Sequence, residues 1–280
     1  MMRTNPRYRV QRLVCCVLWF FLLPAAFGAD SANADGSRAS GVLGEKTAWA
    51  TPWYVVEGRE SGPVVFLTGG VHGNEPAGSH AAEQIRHWPI RRGRLIVVPK
   101  VNTLGLAAKT RWFPPLNEDT AQRDLNRNFP TSNREFPQSP VAEALWELVE
   151  SQKPDFVIDL HEGFDFHRSN SKSVGSSIIF SKTDKRMVLA EKMVATVNAT
   201  VEDQSRKFDL LSRSGAAKGS LVRACTDRLK IDSFLLETTY KDQPLSLRAR
   251  QHRRMVSTLL QNLGLIDHDC VDVIFVEKAK

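Results

Sequence analysis

Short runs of uninterrupted apolar residues recur along the chain: Val64–Leu67, Leu95–Val98, Phe156–Leu160 (broken only by Asp159), Ser177–Phe180 and Phe234–Leu236. Runs this short that end in glycine or proline are the pattern of strands buried on both faces. Pro63 precedes the first run and Gly69-Gly70 follows it, while Pro99 stops the second. Between the runs the apolar positions shift to helical spacing. A helix is predicted from Pro76 to His87, with proline in its first turn. A second spans Val141–Glu150, with Ala142, Leu145, Leu148 and Val149 on one face. A third runs Asp184–Val197, capped by Thr183 or Asp184, and a short one covers Ser220–Arg228. The last extends from Leu245 to Leu263 and is closed by Gly264. Apolar strands alternating with helices predict an α/β domain whose sheet is covered on both faces. Residues 102–139, rich in proline and polar side chains, interrupt the rhythm. They predict a long surface excursion, and a loop of that length is commonly functional.

The two ends depart from this pattern. Leu13–Leu23 is an apolar run of 11 residues behind a basic stretch, followed by Pro24 and the small residues Ala26 and Gly28. That is the layout of a secretory signal peptide over residues 1–28, and the run is short for a membrane span, which needs about 20 residues. Residues 30–46 are small, polar and glycine-rich, so 29–49 read as a flexible lead-in and 50–280 as one domain. Val271–Val276 forms a strand-like apolar tail. The signal predicts export to the periplasm or the exterior, with membrane contact only through that segment if it is retained. Cys225 and Cys270 then offer one disulfide, or remain two buried thiols.

Composition changes little. Charged residues make up 25% and hydrophobic residues 42%, which excludes a disordered chain. The net charge is +7, but Arg3, Arg7, Arg9 and Arg12 sit in the acid-free first 28 residues, and without these 4 it is +3. A surplus this small gives no reason to expect a nucleic-acid partner.

In an α/β sheet the working residues gather beyond the carboxyl ends of the strands. After Val64–Leu67 come His72 and Glu75, three apart, and after Phe156–Leu160 comes His161. Two imidazoles and a carboxylate with one open position make a catalytic zinc set, and imidazole disfavours Mg²⁺ or Ca²⁺. Glu237 ends the run Phe234–Leu236. A carboxylate there is costly without a charged neighbour, and beside a metal-bound water it can shuttle a proton to a leaving amine. The long loop holds Arg123-Asp124-Leu125-Asn126-Arg127-Asn128. Arg127 offers a planar fork for a carboxylate, Asn126 can donate to the same group, and Asp124 can orient a metal-bound histidine.

These segments, in this order, resemble the zinc carboxypeptidase superfamily, which includes metallocarboxypeptidases, murein-peptide amidases and the succinylglutamate desuccinylase/aspartoacylase group. GGVHGNEPAG, RDLNRNFP, VIDLHEG and FLLETT carry the resemblance, which spans about residues 60–265. It implies a three-layer α/β/α sandwich with a mixed, mostly parallel sheet of about eight strands. It implies one zinc ion on His72, Glu75 and His161, Glu237 as general base and acid, and Asn126 and Arg127 as anchors for a substrate carboxylate. It also implies an upstream arginine that polarises the scissile carbonyl, for which Arg111 fits best and Arg123 is the alternative. The implied substrate is a peptide, murein peptide or N-acyl amino acid with a free carboxylate. The branch is less sharply drawn. Aspartoacylases typically carry a β-rich part after the base, whereas 43 residues follow Glu237 here. Carboxypeptidases tend to close a tyrosine over the substrate from the loop before the base. Residues 205–225 hold none, and Tyr240 lies on the wrong side of Glu237. Lys218 and Arg223 fall in the region that shapes the side-chain pocket, where either would favour an acidic group.

Overall fold

The computed structural model describes residues 37–113, 123–132, 135–212 and 215–267. Residues 1–28, read above as a signal peptide, the apolar tail and Cys270 lie outside them. An eight-stranded sheet runs through the described residues in the order β1-β2-β4-β3-β5-β8-β6-β7. Its strands are β1 Ser37–Leu43, β2 Thr51–Glu57, β3 Glu60–Gly69, β4 Arg92–Val98, β5 Phe156–Gly163, β6 Ser177–Ile179, β7 Asp209–Leu211 and β8 Asp232–Thr239. The central strands β4, β3, β5 and β8 are parallel to one another. Antiparallel pairings occur at β1–β2, β2–β4 and β6–β8. This is the α/β sheet that the sequence pattern predicts, with the mixed, mostly parallel, eight-stranded form that the family resemblance implies.

Six α-helices are described: α1 Pro76–Ile85, α2 Thr103–Ala108, α3 Pro140–Gln152, α4 Asp184–Asn198, α5 Leu221–Ala224 and α6 Leu245–Asn262. Alternate residues of the central strands feed two cores. Val65, Leu67, Ile158, Leu160 and Leu236 pack under α1, α4 and α6. Phe66, Ile96 and Val157 pack under α3 and α5. That alternation explains why the strands read as continuous apolar runs. Thr183 is the cap of α4, its side chain accepting from Arg186 N. Ser139 caps α3 ahead of Pro140; a cap of this kind contributes about 1 kcal/mol. No helix of the described residues is long and apolar enough to cross a membrane.

Two expectations are corrected. Part of the predicted lead-in is ordered: Ser37–Leu43 pairs along its whole length with β2 as an edge strand. Small, polar residues suffice because an edge strand draws its order from the ladder and buries little side chain. The region 102–139 is not wholly a surface excursion either. Asn102 caps α2 by accepting from Gly105 N, and Leu125 and Phe129 are buried in the second core.

His252 of α6 is fully buried, with Nε2 3.1 Å from Thr238 Oγ1 on β8. Burial, reinforced by the nearby His161, pushes it down to about 3 from 6.5. The folded protein therefore binds one proton fewer than the unfolded chain between those pH values, and stability falls as pH drops from 6.5 toward 3. We expect His252→Gln to remove about 1.4 kcal/mol per pH unit from that slope, read from urea unfolding across the window.

Candidate metal centre

The first ligand loop leaves β3 and enters α1. Glu75 stands at the N-cap of α1, three residues after His72, and Glu75 N donates to the His72 carbonyl. Helix α1 lies almost on β5, because a Cβ on Gly78 would come within 2.5 Å of the Leu160 carbonyl oxygen. Glycine at that position lets Glu75 reach His161, the next residue of β5. His161 in turn pairs in register with Glu237 on β8. Three neighbouring strand ends thus deliver four side chains to one place, all of them buried.

His72 Nδ1 lies 2.8 Å from Glu75 Oε1, and His161 Nδ1 lies 2.9 Å from Glu75 Oε2. The two Nδ1 atoms face each other at 3.1 Å. Donors arranged tetrahedrally around zinc at about 2.1 Å stand about 3.4 Å apart, so the spacing suits that ion. The outward nitrogens strengthen the case. His72 Nε2 meets Asp124 Oδ1 at 2.9 Å, and His161 Nε2 meets Asp159 Oδ2 at 2.7 Å. A carboxylate behind each ring holds the proton on Nε2 and turns an Nδ1 lone pair inward. Two inward lone pairs and a carboxylate could hold a metal ion between them, and these residues fit one. His72, Glu75 and His161 are also the group of metal-ligating side chains whose donor atoms converge within 4.8 Å among the described residues.

The same groups shift one another's protonation. Burial raises the Glu75 carboxyl, but His72 and His161 outweigh it and hold it well below the usual carboxylate range. Burial likewise opposes charge on His161, yet Asp159 and Glu75 raise it well above an ordinary histidine. For Asp124, burial is outweighed by His72 and then Arg111, so the carboxyl is held low. Glu237 differs. Burial dominates and pushes its carboxyl well above the usual range. Its Oε2 is buried and has no hydrogen-bond partner among the described residues.

Asp159 escaped the sequence reading. A lone aspartate inside an apolar strand run carried the signal, since a fully buried carboxylate needs partners. It finds them in His161 and in Thr68, whose Oγ1 donates at 2.7 Å. Glu162 was missed as well. It accepts from Ala77 N at 2.7 Å and from Arg248, locking β5 to α1 and α6, while its own N–H donates to Glu75 Oε2. We expect Asp159→Asn to weaken zinc binding about 10–100-fold, measured by competition with a chelator.

A cavity of about 480 Å³ opens onto these residues, and Arg111, Asn126, Arg127 and Glu237 line it with the two histidines. Arg111 bridges Glu75 Oε1 and Asp124 Oδ2, both at 3.0 Å. Arg123 is not among the lining residues, and its carbonyl accepts from Phe113 N. Asn126 Nδ2 faces His161 Nε2 at 3.4 Å, and its Oδ1 accepts from Leu221 N. Arg127 donates to the Asn126 carbonyl at 2.7 Å. Its backbone passes so close to Gly219, at φ +77°, that any Cβ there would meet the Arg127 carbonyl oxygen at 2.5 Å. Lys218 and Arg223 do not line the cavity, and Arg223 pairs with Asp227 instead. Tyr240, which lies after Glu237 and so not in the place of the carboxypeptidase tyrosine, does line it. It follows Glu237 by three residues, which carries it beyond the strand end to the cavity mouth. Cys225 is buried under α5, and burial pushes its thiol up.

Comparison with known proteins agrees with this geometry. Residues 61–261 match the model of the succinylglutamate desuccinylase/aspartoacylase catalytic domain. The chain is 33% identical over 132 residues to N-alpha-acetyl-L-2,4-diaminobutyric acid deacetylase of Halomonas elongata, a match covering 44% of this chain and 35% of the relative. The fold is shared with a product-bound cell shape determinant protein Csd4 of Helicobacter pylori (22% identity, TM-score 0.62, covering 73% of this chain and 52% of that one). It is shared also with a succinylglutamate desuccinylase/aspartoacylase of Rhodobacter sphaeroides (22% identity, TM-score 0.60, covering 87% and 71%). The chain thus spans about a third of the deacetylase and half of Csd4. With the family model matched across the His72–Glu75 loop, His161 and the Glu237 strand, this chain belongs to the succinylglutamate desuccinylase/aspartoacylase catalytic-domain family.

Proposed function

We propose that this protein is an exported, zinc-dependent hydrolase that cleaves an amide bond next to a free carboxylate. The observation that carries the reading is the convergence of His72, Glu75 and His161 beside Glu237, whose buried Oε2 has no partner among the described residues. His72, Glu75 and His161 would hold the ion. When bound, it supplies Lewis acidity for the scissile carbonyl and lowers the pKa of water.

The protein's own residues do the rest. Glu237, in its ionised form, takes a proton from the attacking water at Oε2 and returns it to the departing amine nitrogen. Arg127 and Asn126 hold the substrate carboxylate on the amine side, so the amide lies over the cluster. Arg111 is the cation placed to meet negative charge developing on the carbonyl oxygen, in exchange for its hold on Glu75. Asp124 and Asp159 keep both imidazoles turned inward throughout.

The related proteins support an amide beside a carboxylate as the substrate class. The Halomonas elongata relative is named a deacetylase of an N-acetyl amino acid. Csd4 is described as a D,L-carboxypeptidase in its mDAP-bound form. Export rests on the signal-like residues 1–28. Intact mass of the mature chain tests it, and a retained Met1 contradicts cleavage. The activity is tested by a hydrolysis screen of the zinc-loaded protein on muropeptides, N-acyl amino acids and short peptides with free or blocked C-termini. Turnover is expected only with a free carboxylate, and Arg127→Ala should lower kcat/KM about 10–100-fold, mainly through KM. Equal turnover of blocked substrates contradicts the assignment.

A further inference from the structure

Six large apolar side chains are exposed among the described residues: Val42, Phe136, Phe164, Val174, Val188 and Tyr240. Three of them, Phe164, Val174 and Tyr240, line the cavity that holds the metal cluster. Exposed apolar residues scattered singly need no explanation, but a contiguous group rimming a cleft marks a binding surface. These three come from separate segments that the fold draws together. Phe164 follows β5, Tyr240 follows β8, and Tyr240 N donates to the Gly163 carbonyl at 3.3 Å. Val174 precedes Gly175, whose nitrogen would lie 2.3 Å from a Cβ on Gly163. Nothing wider than glycine fits between them, so the backbone segments that carry the three side chains lie against one another at the cavity.

Their position relative to the reacting groups is set by register. His161 pairs with Glu237, and Gly163 with Thr239. Phe164 and Tyr240 therefore lie three residues beyond the ligand and the base, about 10 Å farther out at about 3.3 Å per residue. The proposed carboxylate anchors Asn126 and Arg127 come from a different segment of the cavity wall, the loop bonded to α5, which leaves the rim to the acyl part of a substrate anchored there.

We propose that Phe164, Val174 and Tyr240 form the acyl-side specificity surface of the enzyme and select an apolar acyl group over acetyl or succinyl. The inference rests on the hydrolase site proposed above and adds its substrate preference. The apolar group is an extended fatty acyl chain or an apolar residue of a peptide, since both present the same surface to the rim. Lys172, on the same loop as Val174, also lines the cavity and is the cation an acidic acyl group would engage. Arg111 is already bridged by Glu75 and Asp124.

The test compares N-octanoyl, N-acetyl and N-succinyl derivatives of alanine, glutamate and lysine, with leucyl dipeptides of the same amino acids as a peptide arm. The zinc-loaded wild type, Phe164→Ser, Tyr240→Ser and Lys172→Ala are assayed for kcat/KM. Calorimetric binding of the same compounds to Glu237→Gln separates recognition from turnover. Octanoyl or leucyl compounds should exceed acetyl by about 100-fold, a ratio that falls about tenfold in either serine variant and persists in Lys172→Ala. The same order should appear in binding to Glu237→Gln. Preference for succinyl that Lys172→Ala abolishes would overturn the inference, as would an octanoyl-to-acetyl ratio indifferent to both serine substitutions. Absence of all turnover would count against the proposed hydrolase, while the binding series would still decide the rim. Equal binding of all acyl groups there would reject it.

Discussion

Glu237→Gln is expected to lower kcat about 10³-fold while leaving zinc content at one ion per chain. The substitution preserves size and polarity but removes the basic oxygen. General acid–base catalysis of this kind contributes about 10²–10⁴-fold. The metal should stay because the three ligating side chains do not include Glu237. Folding should be preserved or improved. Burial raises the Glu237 carboxyl, so its ionised form is a cost to the folded state that a neutral amide avoids. Steady-state kinetics with metal analysis of the same sample reads both parts. Hydrolysis at the wild-type rate would refute the role of Glu237.

The second large effect is expected from His161→Ala. Zinc affinity should fall by more than the 10–100-fold that loss of an outer carboxylate already costs, and hydrolysis should disappear with it. A second consequence separates the two histidines. Removing His161 strands Asp159, which is fully buried and then keeps only the Thr68 hydroxyl as a side-chain partner. Removing His72 leaves Asp124 still paired with Arg111 at 3.0 Å. Breaking a buried charged pair costs about 3–5 kcal/mol. Urea unfolding of the metal-free variants should therefore show His161→Ala destabilised by about 3 kcal/mol and His72→Ala by clearly less. Equal losses would mean that Asp159 does not depend on His161.

The chemistry was more legible in the sequence than its support. His72, Glu75, His161 and Glu237 were readable because each follows a strand run at the edge where α/β sites form, and such groups have few other reasons to be there. The central strands β3, β4, β5 and β8 were readable because burial on both faces leaves an unbroken apolar run. Strands β1, β2 and β7 carry no such run, since an edge or antiparallel strand is specified by its neighbour's ladder. The outer carboxylates divide on the same ground. Asp124 lies in a polar loop beside the anchor residues and drew notice. Asp159 belongs to a strand, where its contact with His161 depends on how the chain turns after β5. The rim of Phe164, Val174 and Tyr240 was illegible, because its members are 76 residues apart at the extremes and meet only through the backbone contacts around Gly163 and Gly175.

X-ray absorption at the zinc edge, on protein loaded with one equivalent of zinc, tests the centre most directly. Two imidazole nitrogens and carboxylate oxygen at about 2.0–2.2 Å are expected, with one imidazole lost in His72→Ala and in His161→Ala. A zinc spectrum that neither substitution alters, or a protein that takes up no zinc, would contradict the account.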